Sequence, residues 1–425
     1  MSDTIFALSS GGPPAGIGVI RISGPGAGPA LELLSGRLPP PRHARLSLLR
    51  DPGDDTPLDR ALTLWFPGPA TATGEDLAEL HCHGGRAVIA GVEAALSALA
   101  GLRRAEAGEF TRRAFLNGRM DLNAVEGLSD LLAAETQQQR RAALMMAEGH
   151  FSRQIDGWRE RLLNLSAWAE AALDFSDEDD VPDDGVEERI GRGLAELAGE
   201  VRRILAAPSA ERLRDGVRVV LAGPPNAGKS TLLNALVGRD AAIVSEIAGT
   251  TRDRIEVAAA IGGVAFLFTD TAGLRADTAD VIEAIGMDRA RAALEAADII
   301  LWLGDGDRLP RPDAILIAAQ SDRLDRRPGI ALSARTGEGM DVLVELLLGR
   351  ASSLLPGEGD YALHHRQRAA VAELLGHVTA AADGRDMLIV AEEMRQARAV
   401  IDRLTGRAGT EDMLDRLFAG FCIGK

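Results

Sequence analysis

The sequence predicts a multidomain α/β chain: an α+β domain at the N-terminus, then a discontinuous helical domain with an α/β domain of mainly parallel sheet inserted between its halves. Three observations carry this expectation. At 425 residues the chain is long enough for two or three domains with ample core. Nearly half of it is hydrophobic but only 4% is aromatic, so Leu, Ala and Val supply the core, as helices and parallel strands require. The hydrophobic pattern also changes in order along the chain, from short alternation to helical spacing, to strand–helix alternation, and back to helix.

Residues 1–119 mix apolar alternations with Gly and Pro punctuation: GVIRISG at 18–24, ALTLWFPG at 61–68, DLAELHCHGG at 76–85. From 120 to 213 the spacing predicts long helices, with Leu128, Leu131, Leu132 and the run 135–144 at a 3.6-residue period. The acidic stretch DFSDEDDVPDDG at 174–185 reads as a solvated loop, and another helix runs to about Leu213. VRVVLAG at 217–223 is a continuous apolar strand of the buried parallel type. It opens the inserted domain, 214–350. After LLPGEGDY, helices return over 363–418, within a second helical segment, 351–425.

Bulk properties exclude some classes. A net charge of −16 argues against holding nucleic acid mainly by bulk electrostatics. Two cysteines, Cys82 and Cys422, make no disulfide framework, so a reducing, cytoplasmic setting is expected. No apolar run is long enough to span a bilayer, and MSDTIFALSS lacks the basic start of a secretory signal. GGPPAGIGVIRISG at 11–24 lacks the preceding strand and third glycine of a dinucleotide site. His81-Cys82-His83 invites a zinc reading, but strand alternation places Cys82 on the face opposite the two histidines, and a packed strand edge is expected.

GPPNAGKS at 223–230 fits G-x-x-x-x-G-K-[ST], with a strand before it and a helix pattern after it. In a Ras-like P-loop domain, backbone N–H groups of this loop, through Asn226, Ala227, Gly228 and on to Thr231, cradle phosphates at a helix N-terminus. Lys229 reaches the β- and γ-phosphates and Ser230 binds Mg²⁺. Later motifs follow in order. GTTRD at 249–253 offers Thr251 to the metal and γ-phosphate. FLFTDTAG at 266–273 supplies Asp270 on the metal side, then Thr271, Ala272 and Gly273. AQSD at 319–322 keeps only the Asp of an NKxD motif, as Asp322, whose carboxylate suits the N1–H and 2-amino groups of guanine. Ala319 and Gln320 hold the Asn and Lys places. LSARTG at 332–337 brings Ser333, Ala334 and Arg335 toward the base. Leu274 follows the DxxG where Ras-like switches usually carry a water-orienting glutamine.

GPPNAGKSTLLNAL, AAIVSEIAGTTRD, DTAGLR and VIEAIGMDRA together resemble the MnmE (TrmE) family of bacterial tRNA-modification GTPases, and the match spans nearly the whole chain. The resemblance implies a potassium ion in place of an arginine finger, with Asn226, Ser245, Ile247 and Thr250 as its ligands. It implies Glu283 as the residue that helps orient the attacking water, with Arg252 ordering the arrangement. It also makes 1–119 a tetrahydrofolate-binding and dimerisation domain. There Arg21 in VIRISG, Glu79 in GEDLAELHCHGG and Arg119 in FLNGRMDL would bind 5-formyl-tetrahydrofolate or a related one-carbon donor. The family usually has lysine at the last of these places, so charge is kept but shape is not. The closing FCIGK offers Cys422 as a candidate for chemistry and Lys425 where the folate site is completed. The implied partners are a second copy, the FAD- and NADH-dependent protein MnmG, and tRNA, with no membrane. The G-domain motifs alone also allow a ribosome-assembly GTPase of the Era or Der kind, although no KH-like or second GTPase domain is visible. A folate enzyme whose G domain serves only dimerisation is the third reading.

Overall fold

The computed structural model describes residues 3–174, 185–240, 242–243, 256–271, 290–323, 328–407, 415 and 417–424. Ser245, Ile247, Thr250, Thr251, Arg252, Ala272, Gly273, Glu283 and Lys425, all expected at functional sites, lie outside the described residues. The chain forms two compact units, Met1–Ser129 with Asp402–Lys425, and Asp130–Ile401.

The first unit is built on a six-stranded sheet of order β3-β4-β5-β2-β1-β6. The strands are β1 Thr4–Leu8, β2 Ile17–Ser23, β3 Arg45–Arg50, β4 Pro57–Phe66, β5 Leu77–His83 and β6 Leu102–Arg104. All neighbours are antiparallel except β1 and β6. The expected alternation is borne out: Ile20 and Ile22 of β2, with Ala78, Leu80 and Cys82 of β5, point into one core. Helices α1 (Ala27–Ser35) and α2 (Arg86–Ser97) cover that face through Leu31, Leu34, Ile89, Val92 and Leu96. On β1 the other face is also covered, because Ile5 and Ala7 meet Phe110 of α3 (Glu109–Leu116). The C-terminal residues belong to this unit. Phe418 and Phe421 pack on Leu122 and Val125 of α4 (Leu122–Ala133), and Ile423 bridges to Ala107. Gly424 has φ +97°, and any Cβ there would strike the carbonyl of Leu8, so the tail lies against β1 only because the residue is glycine.

The second unit carries a seven-stranded sheet of order β13-β12-β11-β7-β10-β9-β8. From β13 (Ile330–Leu332) through β12 (Ile315–Ala319), β11 (Ile299–Trp302) and β7 (Val217–Ala222) to β10 (Val264–Asp270), neighbours are parallel. β9 (Glu256–Ile261) and β8 (Ala242–Ile243) continue it antiparallel. The apolar run of β7 is explained by burial on both faces. Val217, Val219 and Leu221 meet Leu232 and Leu236 of α9 (Lys229–Asp240) and Leu343 and Leu347 of α10 (Met340–Ser352). Val220 and Ala222 meet Ala297 and Ile300 on the other side. Each such side chain contributes about 1.5–3 kcal/mol on burial, so the strand is fixed mid-sheet and its C-terminal end is held at a defined rim.

Helices α5 (Gln137–Ala147), α6 (His150–Asp174), α7 (Val186–Ala206), α11 (His365–Asp383) and α12 (Met387–Thr405) complete the helical part, with α7 packed on α6 and α11. Two expected helices are broken. The run through 128–144 stops after α4, because Thr136 accepts from the Gln139 N–H and the Gln139 side chain returns to the Thr136 N–H, a capping box that starts α5. The helix expected to reach Leu213 ends at Ala206. Pro208 lacks the donor and disfavours helical geometry before it, and α8 (Ala210–Asp215) is a separate turn.

Candidate nucleotide site and a second polar site

The loop 223–228 leaves the C-terminal end of β7 and enters α9 at Lys229. Asn226 adopts a left-handed backbone with φ +61°, and Gly228 has φ +95°. This winding turns successive N–H groups to one side, and the first amides of a helix have no intrahelical acceptor. The first bond of the helical ladder is Leu232 N–H to Gly228 O, 2.9 Å. Lys229 is only 5% exposed, and its ammonium donates to the carbonyls of Gly223 (3.0 Å) and Pro224 (2.9 Å). A buried cation needs such partners.

β10 runs parallel to β7 with Asp270 beside Leu221, so its last carboxylate arrives at the same rim. Asp270 is almost fully buried, and its Oδ2 accepts from Ser230 Oγ at 2.5 Å, a short charge-assisted bond. Hydroxyl and carboxylate oxygens converging on one point are the hard donors that Mg²⁺ takes. Thr271 donates to Leu221 O from its hydroxyl (2.9 Å) and its amide (3.3 Å), fastening the end of β10 to β7. A cavity of about 540 Å³ opens beside the loop, lined among others by Gly223, Pro224, Lys229, Thr271 and Trp302.

On the other side of the loop a second cavity, about 260 Å³, is lined by Gly228, Thr231, Gln320, Asp322, Ala334 and Arg335, among others. Asp322 Oδ1 accepts from Ser333 Oγ at 2.8 Å, and Oδ2 lies 3.7 Å from the Nε atoms of Arg323 and Arg335. The Ser333 hydroxyl, then the two nearby arginines, hold this carboxyl below its usual range, so it is an acceptor at neutral pH. The structure thus brings Asn226, Ala227, Gly228, Lys229, Ser230, Thr231, Asp270 and Thr271 to one rim, with Asp322, Ser333, Ala334 and Arg335 at the adjoining cavity.

In the first unit, register places Arg21 of β2 directly opposite Glu79 of β5. Arg21 donates to Glu79 Oε1 from Nε (3.1 Å) and Nη2 (2.9 Å), while His81 Nε2 meets Oε2 at 3.1 Å. Burial pushes the Glu79 carboxyl up, but the hydrogen bonds of His81 and Arg21 and their charge outweigh it and hold it below its ordinary value. Arg119 is exposed on the turn after α3 beside Gly74. Cys422 is exposed, its carbonyl accepting from Gly108 N–H at 3.5 Å. His83 Nδ1 pairs with Asp59 at 2.7 Å.

Two features escaped the sequence reading. His81 is a partner of Glu79, a pairing that the two-residue spacing on one strand face could have signalled. In the same unit, Arg113 bonds Glu75 Oε2 (3.0 Å), Asp3 Oδ1 (2.8 Å) and Glu109 Oε1 (3.1 Å), and Arg103 pairs with Asp3 and Glu109. Asp3 and Arg113 are 110 positions apart, and only the Glu109–Arg113 pair, four residues apart on one helix, follows a local pattern.

A parallel sheet whose rim presents helix N-terminal amides, a lysine and a serine–aspartate pair belongs to the class of P-loop nucleotide hydrolases. Comparison with known proteins narrows the class. Residues 4–119 match the family described as GTP-binding protein TrmE N-terminus, and residues 122–422 match the MnmE helical domain. A protein of Rhizorhabdus wittichii named tRNA modification GTPase MnmE is 59% identical over 429 residues, covering 100% of this chain and 97% of that one. Proteins of the same name from Sphingopyxis alaskensis (96% of this chain, 100% of that one) and Novosphingobium aromaticivorans (100% of both) are each 58% identical. The chain belongs to the MnmE (TrmE) family of tRNA modification GTPases, and it is a GTP hydrolase. The family and the mixed α/β and helical architecture read from the sequence are borne out. Among the described residues no helix is long and apolar enough to cross a membrane.

Proposed function

We propose that this GTPase acts on tRNA as a homodimer together with MnmG, adding a carboxymethylaminomethyl or aminomethyl group to C5 of wobble uridine 34. GTP hydrolysis depends on potassium and is coupled to dimerisation of the G domains, and a folate supplies the one-carbon unit. The observation that carries the nucleotide side of this reading is the Ser230–Asp270 pair at the mouth of the loop holding Lys229. The loop amides and Lys229 bind the phosphates, Ser230 and Asp270 hold Mg²⁺, and Asp322 orients guanine.

Asn226, exposed and left-handed at the tip of the loop, offers a hard neutral side-chain oxygen and fits a potassium ligand. A potassium ion held there supplies positive charge where negative charge grows during hydrolysis. The remaining expected ligands, Ser245, Ile247 and Thr250, lie outside the described residues, as do Thr251 for Mg²⁺ and Glu283 and Arg252 for water orientation. On the folate side, Glu79 presents acceptors that suit pterin N–H groups and Arg21 a cation that suits a glutamate tail. Arg119, Cys422 and Lys425 are proposed with them. The division into 1–119, 120–213, 214–350 and 351–425 is proposed on the same basis.

Mass spectrometry of tRNA nucleosides tests the reading. Cells lacking this chain should lose the modified wobble uridine and regain it with the wild-type gene. Unchanged nucleosides in the deletion strain would discard the proposal while leaving GTP hydrolysis intact.

A further inference from the structure

At the end of β5 a buried carboxylate holds an exposed imidazole. The side chain of Asp59, on β4, is only 9% exposed, and it grips His83 twice. Its Oδ2 accepts from the His83 backbone N–H at 2.8 Å, and its Oδ1 meets Nδ1 at 2.7 Å. Anchoring the strand end needs only the first of these bonds. The second fixes the ring: a carboxylate accepts, so Nδ1 carries the hydrogen and Nε2 is the nitrogen that exchanges a proton. The imidazole is 72% exposed, and nothing among the described residues bonds Nε2. The backbone beyond it is held as well. Ala15 N–H donates to Gly84 O at 3.0 Å, and a Cβ on Gly84 would strike the Ala15 carbonyl, so the residue after His83 has to be glycine.

An imidazole oriented through one nitrogen by a carboxylate is the arrangement that proton-transfer catalysis uses. Glu79, His81 and His83 take alternate positions on β5, less buried than Leu80 and Cys82 between them, so the three share one sheet face. Four residues of strand span about 13 Å, the reach of one ligand with a bicyclic ring and an arylamine arm. We propose that Asp59 and His83 form a proton-transfer pair for a reduced folate lying along β5, with His83 the group that meets the ligand and Asp59 its positioning residue. The inference rests on the folate reading of Arg21 and Glu79. The pair acts on the nitrogen that carries the one-carbon unit. A nucleophile of the acceptor forms its bond to that carbon with its own lone pair. The C–N bond breaks, its electrons stay on the folate nitrogen, and that nitrogen takes the proton from His83 Nε2. Nε2 keeps the N–H pair as its lone pair. Before the step the Asp59 carboxylate balances the imidazolium, and afterwards water returns the proton at the exposed edge of the ring.

The test uses the full-length chain with 5-formyl-tetrahydrofolate as the probe. Diethyl pyrocarbonate modifies an imidazole at its bare nitrogen, and peptide mass spectrometry reads each histidine separately. His83 should be modified rapidly in the free chain and several-fold more slowly with saturating folate, whereas the exposed His43 should react alike in both. His83→Gln, at an exposed position, should fold, hydrolyse GTP and still bind the folate. It should nevertheless slow wobble-uridine modification, reconstituted with MnmG and tRNA, by about 10²–10⁴-fold. Asp59→Asn should slow it too, and Asp59→Glu, which keeps a carboxylate, should recover part of the loss. Should either Asp59 variant unfold, the His83 variant and the protection of the wild-type chain decide alone. Folate that binds without protecting His83, or a His83→Gln chain that modifies tRNA at the wild-type rate, overturns the pair. In that case, loss of folate binding in Glu79→Ala shows that the folate reading stands and only the pair fails. If the wild-type chain does not bind 5-formyl-tetrahydrofolate, the folate reading fails and the pair with it.

Discussion

The two polar sites organise charge in opposite ways. At the phosphate loop the polar groups are mainly backbone, with one buried lysine resting on two carbonyls, so the site meets an incoming polyanion with amides and an ammonium. In the first unit the charges are already matched: Arg21 with Glu79 and His81, and Arg113 with Glu75, Asp3 and Glu109. The difference separates binding from folding. A site built on backbone winding can lose one side chain and keep its shape, whereas a site built on ion pairs leaves an uncompensated charge when one member goes.

The largest expected effect is at the phosphate loop. Asn226→Ala should still bind nucleotide, with a small loss of stability because alanine suits φ +61° less well than asparagine, but should lose the stimulation of GTP hydrolysis by KCl over NaCl at equal ionic strength, a fall of about 10²-fold or more. Comparing initial rates in the two salts decides it. Equal rates for the wild-type chain in both would remove the potassium reading.

The first unit should show the converse, a loss of stability. Arg113→Met keeps much of the apolar stem but takes from the largely buried Glu75 the cation that neutralises it, while Glu109 keeps Arg103. Breaking one member of a buried set costs about 3–5 kcal/mol, and allowing for partial exposure about 2–3 kcal/mol is expected. Calorimetry should show the lowest melting transition moved down, with GTPase rate per folded molecule unchanged. The acid side gives a second reading. Glu109 and Asp3 are both pushed up by burial and pulled further down by their arginines, so their folded values lie below the unfolded ones. Carboxyls shifted in that direction contribute stability above the ordinary carboxylate range, near pH 4, and lose it as pH falls through the folded values. The melting temperature of the wild-type chain should therefore drop below about pH 4–5 more steeply than that of Arg113→Met. Parallel profiles would deny that these pairs carry the difference.

How much of this was readable beforehand follows the same divide. GPPNAGKS was legible because its chemistry is local: eight consecutive residues wind the loop, start the helix and place Lys229 and Ser230. The apolar run of β7, broken only by the exposed Arg218 near its start, marked its place in mid-sheet, and the alternation in GVIRISG and DLAELHCHGG identified the strands that register Arg21 against Glu79. Most of the Arg113 cluster was not legible, since Asp3 lies before β1 and Glu75 between β4 and β5, and only the tertiary fold brings them to Arg113 on α3. Nor was the grip of Asp59 on His83, because it joins two strands across 24 positions of chain. The helix ends were misjudged where one residue overrode the period, Thr136 by capping and Pro208 by lacking a donor.

The smallest expected effect contrasts the two thiols of the first unit. Cys82 points into the core under α1 and α2, and burial, with the Asp59 carboxylate adding to it, pushes its pKa up to about 12. At pH 8 that leaves roughly one molecule in 10⁴ as the reactive thiolate, behind a packed sheet face. Cys422 is exposed on the C-terminal tail. An aromatic disulfide reagent should therefore release one fast equivalent per native chain at pH 8, and a second only with denaturant. Cys422→Ser should abolish the fast equivalent and leave the slow one. The contrast also tests how firmly the tail is seated: Phe418 and Phe421 hold it by burial while Cys422 faces outward. Phe421→Ala should then leave the fast equivalent in place but make the tail more sensitive to proteolysis, whereas two fast equivalents in the native wild-type chain would mean that the β5 face opens readily and that the packing drawn around Cys82 is wrong.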